Sequence, residues 1–450
     1  MAQENVEQNI AAKRISRIAV SNLFDMFDYD IPFNMDMRIT IIHGLNGYGK
    51  TTLLKMIDGI FNADYTELRQ IPFNSFIIYF DDGDILTIIK DIRIQKLQGR
   101  EIRRPTLQFD YYDAVRNNTE SYKNPDRLEN RSNRERAEFE RIGPSVWLHR
   151  PTGEALTNEE IINRYGDLSV IEREINIPEW LSKLRESLKI RFIQSQRLLL
   201  LPAQQEISTY RQKAQMTLAV TTYAKELSRA IESKLGEYAA TSQSLDRTFP
   251  VRLVRQGDTV QLTAEQIRQM LSDLESRRAR LINAGLLEKN TEEDFQIFDE
   301  INEQQKNILS VYIKDVNQKL DVLNDIADKI DLFKQIMNDH FNHKYISVDK
   351  DKGFAFFTIN NKPLSPEDLS TGEQHQLILV YESLFKVEAN SLILIDEPEI
   401  SLHVEWQVQF LEDLQNIIGL SKFDVLIATH SPQIINDRWD LTVRLSERIS

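Results

Sequence analysis

A glycine-rich segment, GLNGYGKTT at residues 44–52, constrains the fold of this 450-residue chain more than any other feature. It fits the pattern G-x-x-x-x-G-K-[ST] at every position. The aliphatic run Ile39–Ile42 before it predicts a buried strand, and the stretch Thr51–Ile57 after it predicts the start of a helix. Because the pattern requires this order of strand, loop and helix, the segment predicts a phosphate-binding loop on an α/β sheet. A glycine-rich turn without a ligand is the alternative, which the flanking elements disfavour.

The residue types in this loop indicate how it would hold a nucleoside triphosphate. Glycines allow successive backbone N–H groups to turn toward phosphate oxygens, and the helix N-terminus adds partial positive charge. Lys50 is expected to reach the β- and γ-phosphates, and the Thr51 hydroxyl to bind Mg²⁺. ATP and Mg²⁺ are therefore the predicted cofactors. The predicted nucleotide-binding residues of the loop are Gly44, Leu45, Asn46, Gly47, Tyr48, Gly49, Lys50, Thr51 and Thr52.

Two further aliphatic runs end in polar residues. Leu392–Ile395 precedes Asp396 and Glu397, and Val425–Ala428 closely precedes His430. Unbroken apolar runs predict parallel strands that are covered on both faces. Downstream of a phosphate loop, Asp396 is expected to hold Mg²⁺ through water, and Glu397 to act as general base on the attacking water. His430 is expected to hydrogen-bond the γ-phosphate or that water. An ordinary solvated strand end and a structural histidine are the alternatives.

The segment LSTGEQ at residues 369–374 predicts a capped helix start. Ser370 is a favoured N-cap residue, and Glu373 completes an S-x-x-E capping box before the amphipathic run Gln374–Phe385. An ordinary helix start explains this pattern, but an exposed glycine and hydroxyl at a helix N-terminus also form an anion site. The candidate nucleotide contacts here are Ser370, Thr371, Gly372 and Glu373.

These four segments, in this order, resemble the motifs of ABC-type ATPases, specifically of the SMC/Rad50-like branch. The resemblance implies an α/β P-loop ATPase head with a mixed sheet, an antiparallel β subdomain and a compact helical insert. In that family the LSTGEQ-type loop closes over the γ-phosphate held by the opposite subunit. A homo-oligomer built on a dimeric ATP sandwich is therefore implied.

The resemblance extends to three other segments. Arg17–Phe33 is similar to the family's first β-hairpin, and IRFIQSQRL at Ile190–Leu198 is similar to the strand that carries the Q-loop glutamine, a ligand of Mg²⁺. Gln194 and Gln196 are both available for that role, and Gln196 is favoured because Arg197 follows it. EISLH at residues 399–403 resembles the D-loop, with a histidine where that loop usually has an aspartate.

The motifs divide the chain into four parts. These are a flexible N-terminal tail (1–14), a first ATPase lobe (15–200), a helical insert (201–344) and a second ATPase lobe (345–450). A hairpin is predicted from Phe76–Phe80 and Ile85–Ile89 around a Asp81–Gly83 turn. Residues 116–142 are polar and arginine-rich, which predicts a solvated loop and helix, with nucleic-acid or partner contact as the alternative.

The insert carries two patterns of its own. A heptad seam predicts helical pairing; it consists of Leu309, Ile313, Val316, Leu320, Leu323, Ala327 and Ile330. Phe249 and Pro250 are expected to break the helical pattern, with Val251–Val254 as a short strand. His340 and His343 lack a third metal ligand nearby in the sequence and are interpreted as structural.

Composition narrows the class of protein. The formal net charge of −14 argues against a globally basic DNA-binding body, and the absence of cysteine excludes disulfides, thiolate catalysis and zinc–thiolate sites. No apolar run approaches the roughly 18 residues of a membrane span, and the polar first residues lack a signal-peptide core. A cytoplasmic location without membrane contact is expected. The stretch Ser431–Ser450 is too short for a nuclease domain of Toprim type, so a separate polypeptide is expected to supply any nuclease activity.

The segments FIQSQRL, LILIDEPEISLH, IATHSPQII and Tyr223–Pro250 resemble small stand-alone ATPases of bacterial antiphage islands, in particular the AriA-type ATPases of PARIS systems. That resemblance implies a hexameric scaffold that holds a separate Toprim-type nuclease effector and releases it on sensing a phage-encoded trigger protein. The Septu-type ATPases, which work with an HNH nuclease, are the alternative within this class. From other classes, the alternatives are a DNA-repair ATPase that clamps DNA directly and, less favoured, a transporter ATPase.

Overall fold

The computed structural model describes residues 12–97, 100–124, 139–143, 146–149, 154–157, 177–194, 209–255, 262–288, 301–400 and 402–446. It divides into two units. Residues 1–205 and 387–450 belong to the first unit, and residues 206–386 belong to the second. The four-part division made from the motifs stays a prediction. None of the helices among the described residues has an apolar stretch long enough to cross a membrane.

A parallel sheet forms the centre of the first unit. Its strands, in spatial order, are β11 (Ile190–Gln194), β15 (Leu392–Asp396), β16 (Asp424–Thr429), β3 (Ile39–His43) and β17 (Thr442–Arg444). All residues of β15 and β16 are buried, as the aliphatic runs predicted. Helix α1 (Lys50–Phe61) packs its apolar face against this sheet. Burial of each large apolar side chain stabilises the folded state by roughly 1.5–3 kcal/mol.

An antiparallel sheet forms the other large layer of the first unit. Its strands, in spatial order, are β2 (Phe27–Pro32), β1 (Ile15–Leu23), β4 (Ser75–Phe80), β5 (Ile85–Leu97), β6 (Arg100–Asp113) and β7 (Asn118–Asn124). Both hairpins expected from the sequence are confirmed, since β1 pairs with β2 and β4 pairs with β5. Parallel and antiparallel strands therefore lie in separate sheets.

The polar stretch 116–142 is only partly described, and its described ends are strands instead of the expected loop and helix. Strand β7 pairs with β6 as the edge of the antiparallel sheet, which is why a polar sequence is tolerated there. Strand β8 (Phe139–Gly143) belongs to a small sheet with β9 (Val146–His149) and β10 (Glu154–Thr157). Residues 125–138 lie outside the described part.

The N-terminal end of the described chain is tied to the parallel sheet. Arg14 donates to both carboxylate oxygens of Asp424, at 2.7 and 2.6 Å, and to the Met35 carbonyl at 2.9 Å. Such a bidentate pair fixes geometry as well as charge, because the planar guanidinium matches the carboxylate. It anchors the chain just before β1 at the start of β16.

The second unit is mainly helical. Among the described residues, the helices after α1 are, in chain order, α2 (Tyr65–Gln70), α3 (Glu179–Ser187), α4 (Thr209–Arg255), α5 (Ala264–Asn283), α6 (Glu303–Asp321), α7 (Asn324–His340), α8 (Thr371–Phe385), α9 (Val404–Ser421) and α10 (Pro432–Ile435). Helices α4 to α8 belong to the second unit, with a three-stranded sheet of β12 (Lys344–Asp349), β13 (Gly353–Thr358) and β14 (Pro363–Leu364).

One expectation for the insert is wrong, and one pattern is divided between two helices. Val251–Val254 is the last turn of α4, not a strand, and α4 continues through Pro250. A single proline removes one hydrogen bond, and this position is near the helix end, where fewer bonds are lost. The heptad seam does not follow one helix either, because α6 ends at Asp321 and α7 begins at Asn324. Leu323 and Ile330 are nevertheless buried, so the pattern marked core positions correctly.

Candidate nucleotide site

Three loops meet at one edge of the parallel sheet. The glycine-rich loop follows β3, Glu397 follows β15 and His430 follows β16. These strands are adjacent and parallel, with Asp396 in register with Ala428, and Thr429 in register with His43. Because the carboxyl ends of parallel strands lie at the same edge, the fold brings together residues separated by hundreds of positions in the sequence.

The glycine-rich loop has the backbone that a phosphate cradle requires. Gly47 and Gly49 have backbone φ angles of 90° and 80°, which residues other than glycine rarely adopt. A Cβ atom at Gly49 would also lie 3.0 Å from Leu23 Cδ2. Gly49 is the N-cap of α1 and has no side chain to cap the first turn. The helix N-terminus and its partial positive charge are therefore left to a ligand.

Lys50 is buried in this loop and folds back over it. Its Nζ donates to the carbonyls of Gly44 at 2.8 Å and Leu45 at 3.2 Å, and the residue is 5% exposed. Burial lowers the pKa of the Lys50 ammonium, an effect opposed by the charges of Glu397, Glu399 and Asp396. The ammonium is thus held at the loop by groups that a phosphate would replace with stronger, charge-assisted bonds.

The two residues expected to hold Mg²⁺ are in contact. Thr51 Oγ1 donates to Asp396 Oδ1 at 2.9 Å. Burial raises the pKa of Asp396 to about 6, and the neighbouring Glu397 and Glu399 carboxylates add to this, against the bond from Thr51. Hydroxyl and carboxylate oxygens are the ligands that Mg²⁺ prefers, and a cation here would relieve the crowding of negative charge. The donor set therefore fits Mg²⁺.

The structure describes only one of the two candidates for the Q-loop glutamine. Gln194 is the last residue of β11 and is in register with Asp396. Gln196, which the sequence favoured, lies outside the described residues. The choice between the two stays open.

Glu397 occupies a strained backbone position. Its φ is 47°, in the left-handed region, and its N–H donates to the Ala428 carbonyl at 2.8 Å. A non-glycine residue in this region costs about 1–2 kcal/mol, and such strain concentrates at functional sites. The turn begins directly after β15 and keeps the Glu397 side chain at the sheet edge, where Oε1 lies 3.7 Å from His430 Nδ1.

This strain predicts a measurable difference between two variants that both lack the carboxylate. We expect Glu397→Gly to have a free energy of unfolding about 1 kcal/mol higher than Glu397→Ala, because only glycine adopts this φ without strain. Urea denaturation of the two proteins measures the difference. A Glu397→Ala protein that is the more stable of the two would contradict the assignment of strain.

His430 is half-exposed, and its nearest acidic neighbour is Glu399, the first residue of the segment that resembles the D-loop. Its Nδ1 lies 3.0 Å from Glu399 Oε1, closer than to Glu397. The same Glu399 oxygen accepts from the His430 backbone N–H at 3.0 Å and from Thr429 Oγ1 at 2.8 Å. The sequence predicted a D-loop position for Glu399 but not its contact with His430, which no local pattern indicates.

The LSTGEQ segment lies in the second unit and has the predicted cap. Ser370 Oγ accepts from the Glu373 N–H at 3.3 Å, and Glu373 Oε2 accepts from the Ser370 N–H at 2.7 Å. Lys344 Nζ also donates to Glu373 Oε2, at 2.9 Å. Ser370 and Thr371 are exposed at the start of α8. The expected capping box is confirmed, and the hydroxyls stand at a helix N-terminus that is accessible to an anion.

The rest of α8 differs from expectation, because it is buried on all sides and not amphipathic. Every residue from Glu373 to Leu384 is buried, since α8 packs against α4 and α7 within the second unit. The polar members of this helix, His375 among them, are therefore core residues. Burial lowers the pKa of His375 to about 4.

His375 predicts acid sensitivity of the second unit. Its pKa is near 6.5 when unfolded and about 4 when folded, so protons bind the unfolded state preferentially between these values. We expect stability to be complete above pH 6.5 and to fall by roughly 3 kcal/mol as the pH drops to 4. His375→Leu should remove this part of the pH dependence. Urea denaturation at pH 7, 5.5 and 4.5 measures it, and parallel stability curves for both proteins would contradict it.

Comparison with known proteins places the fold and the motifs in one family. The family model described as AAA ATPase domain matches residues 14–435. The match confirms the α/β ATPase fold class and the nucleotide-binding class that the motifs indicated. It includes the glycine-rich loop, the acidic strand and His430.

The individual proteins that match this chain do so over a short segment or at low sequence identity. Protein ea59 of Escherichia phage lambda is 31% identical over 96 residues, which covers 21% of this chain and 18% of that protein. The chain thus matches less than a fifth of the length of this relative. The Smc head domain of Pyrococcus furiosus, solved with ScpA, matches with 12% identity, coverage of 97% and 94%, and a TM-score of 0.35. A second SmcHead–ScpA structure matches with 9% identity, coverage of 94% and 91%, and a TM-score of 0.34.

Proposed function

This chain belongs to the AAA ATPase domain family, and we propose that it hydrolyses ATP with Mg²⁺ at a site that a second copy of the chain completes. The observation that carries the proposal is the single sheet edge at which the glycine-rich loop, Asp396, Glu397 and His430 meet. Such an edge supplies a phosphate cradle, a metal ligand and a general base together.

Each residue has a distinct role in the proposed reaction. Lys50 exchanges the Gly44 and Leu45 carbonyls for the β- and γ-phosphates. Thr51 and Asp396 hold Mg²⁺, which neutralises charge on the phosphates when bound. Glu397 takes a proton from the attacking water as the water oxygen bonds to the γ-phosphorus, and the bond from that phosphorus to the β–γ bridging oxygen breaks to release ADP. The buried floor of the site, formed by β15 and β16, strengthens these electrostatic interactions because it excludes water.

Completion by a second copy is supported by the exposure of the LSTGEQ loop. Ser370 and Thr371 present hydroxyls at the N-terminus of a 15-residue helix whose remaining surface is buried. The resemblance of this loop to the ABC-type signature motif supports a position opposite the γ-phosphate of another copy. Two chains would then enclose two ATP molecules, and closure would couple ATP to the attached helical unit.

The enzymatic proposal is tested by phosphate release from ATP as a function of protein concentration. We expect release to require Mg²⁺ and turnover per chain to rise with protein concentration until the dimer is saturated. Analytical ultracentrifugation with the non-hydrolysed analogue AMP-PNP should show association that Lys50→Ala abolishes. Concentration-independent turnover by a monomer would refute completion in trans, and absence of turnover under all conditions would refute the ATPase proposal.

For the biological role, we propose a sensor and scaffold subunit of a bacterial antiphage system. Its ATP-dependent assembly would hold a separate nuclease effector of Toprim type and release it when a phage-encoded trigger protein binds. The support is the resemblance of FIQSQRL, LILIDEPEISLH and IATHSPQII to the ATPases of PARIS-type defence islands. Co-expression with the neighbouring gene product, followed by native mass spectrometry, tests this. A stable complex with a nuclease supports the role, and a chain that purifies alone and protects no cells against phage contradicts it.

One observation favours the second candidate, a DNA-repair ATPase that clamps DNA. The outer part of the β5–β6 hairpin, residues 90–104, contains six basic and two acidic residues in a chain of net charge −14. Arg93 and Arg104 are in register on the two strands, and an excess of basic residues is typical of a surface that binds nucleic acid. Hydrolysis that duplex DNA stimulates, with a steep loss as salt increases, would favour this candidate over the scaffold.

A further inference from the structure

The carboxylate of Glu399 is buried beside the proposed catalytic histidine. Glu399 is 8% exposed, although it follows Glu397 by only two positions. Burying a charged carboxylate costs several kcal/mol unless hydrogen bonds and charges compensate it. A purely structural role at this position would be fulfilled at lower cost by a neutral side chain. The burial therefore calls for a functional explanation.

The hydrogen bonds described for this carboxylate come from the loop that carries His430. Oε1 accepts from Thr429 Oγ1 at 2.8 Å and from the His430 N–H at 3.0 Å, and His430 Nδ1 lies at 3.0 Å from the same oxygen. Oε1 thus accepts two hydrogen bonds and faces the ring nitrogen of His430 as a third close contact. Because this oxygen accepts hydrogen bonds from its other two neighbours, a proton shared with His430 belongs on Nδ1 of the ring.

The backbone around Glu399 is fixed from α9. Gln407 Nε2 donates to the carbonyls of Glu399 at 3.3 Å and Leu402 at 3.1 Å. Gln407 Oε1 in turn accepts from Ser431 Oγ at 3.0 Å. One side chain thus holds both the segment that carries Glu399 and the residue that follows His430. Their relative position does not depend on a single contact.

We propose that Glu399 is a positioning residue for ATP hydrolysis: it holds the His430 ring with Nδ1–H at its carboxylate, so that Nε2 is the nitrogen that serves the nucleotide. This inference rests on the proposed ATPase function. When the ring is neutral, Nε2 accepts a hydrogen bond from the attacking water; when the ring is protonated, Nε2–H donates to the γ-phosphate and the Glu399 charge stabilises the imidazolium. Without Glu399 the neutral ring would also adopt the other tautomer, and its orientation would be lost.

The kinetic test uses Glu399→Gln, His430→Ala and the double variant, with Glu412→Gln as the matched control. Glu412 is exposed on α9 in the same unit, so its substitution makes the same chemical change away from the site. We expect Glu399→Gln to lower kcat about 10- to 100-fold, with the Kd for ATP changed by less than about threefold. Glu412→Gln should retain wild-type turnover.

The double variant separates positioning from a general structural effect. If Glu399 acts through His430, Glu399→Gln should lower kcat no further in the His430→Ala background. Equal losses from Glu399→Gln in both backgrounds would overturn the proposal, as would wild-type turnover by Glu399→Gln itself. Thermal unfolding of each variant identifies any loss that comes from misfolding.

A spectroscopic measurement tests the inference on the unaltered protein. ¹⁵N-labelled histidine NMR, with His430 assigned by comparison with His430→Ala, reports which ring nitrogen carries the proton. We expect the Nδ1–H tautomer or the doubly protonated ring, and a neutral ring with its proton on Nε2 would overturn the proposal. This result does not depend on turnover. A wild-type protein without ATPase activity but with the Nδ1–H tautomer would therefore refute the proposed function and leave the positioning intact.

Discussion

Glu397→Gln is expected to lower kcat for ATP hydrolysis by about 10²–10⁴-fold, the range that loss of a general base produces. The amide has nearly the same shape as the carboxylate but does not accept a proton from the attacking water. Glu397 lies at the sheet edge beside His430, and the two hydrogen bonds described for the Lys50 ammonium go to backbone carbonyls and not to Glu397. ATP binding through the glycine-rich loop should therefore persist.

The variant should also accumulate the ATP-bound assembly, because hydrolysis is the step that would open it. Native mass spectrometry with ATP and Mg²⁺ should detect a dimer with two nucleotides in Glu397→Gln, whereas the wild-type protein returns to its nucleotide-free form. Glu412→Gln serves as the control for an exposed carboxylate on α9. If Glu397→Gln keeps wild-type turnover, the general base is another group. If it also fails to accumulate the nucleotide-bound dimer, the mechanism as a whole is contradicted.

The sequence predicted the parts of this fold that depend on local pattern. The strand at Ile39–Ile42, the buried run at Leu392–Ile395 and the capping box of Ser370 are all confirmed, because each is encoded by neighbouring residues. Their convergence also followed from the sequence, since a phosphate loop and two strand-end motifs of one fold class have few possible arrangements.

The failures depend on tertiary context. The stretch after Ser370 reads as amphipathic, yet α8 is buried on all sides because α4 and α7 cover it. Pro250 reads as a break, yet it is accommodated close to the end of α4. The contact between Glu399 and His430 was missed for the same reason. It spans 31 positions, and no local periodicity records such a contact.

Completion of the site in trans predicts that two inactive variants restore each other. Lys50→Ala removes the ammonium that holds the phosphates, and Ser370→Arg places a long side chain on the helix N-terminus that would face the γ-phosphate. Each variant alone is expected to lose at least about 100-fold in turnover. In a mixed dimer, one site carries both defects, but the other combines an intact Lys50 loop with an intact Ser370 loop.

Mixing equal amounts should therefore restore about a quarter of the wild-type turnover, because half of the dimers are mixed and each has one intact site. Ser365→Arg is the matched control. Ser365 also caps a helical turn through a capping box and is exposed, but it lies outside the LSTGEQ loop. The cost of a lost cap, about 1 kcal/mol, is then common to both substitutions. If the mixture stays as inactive as its components while each remains folded, the ATP site is complete within one chain, and the exposed hydroxyls of α8 serve another purpose.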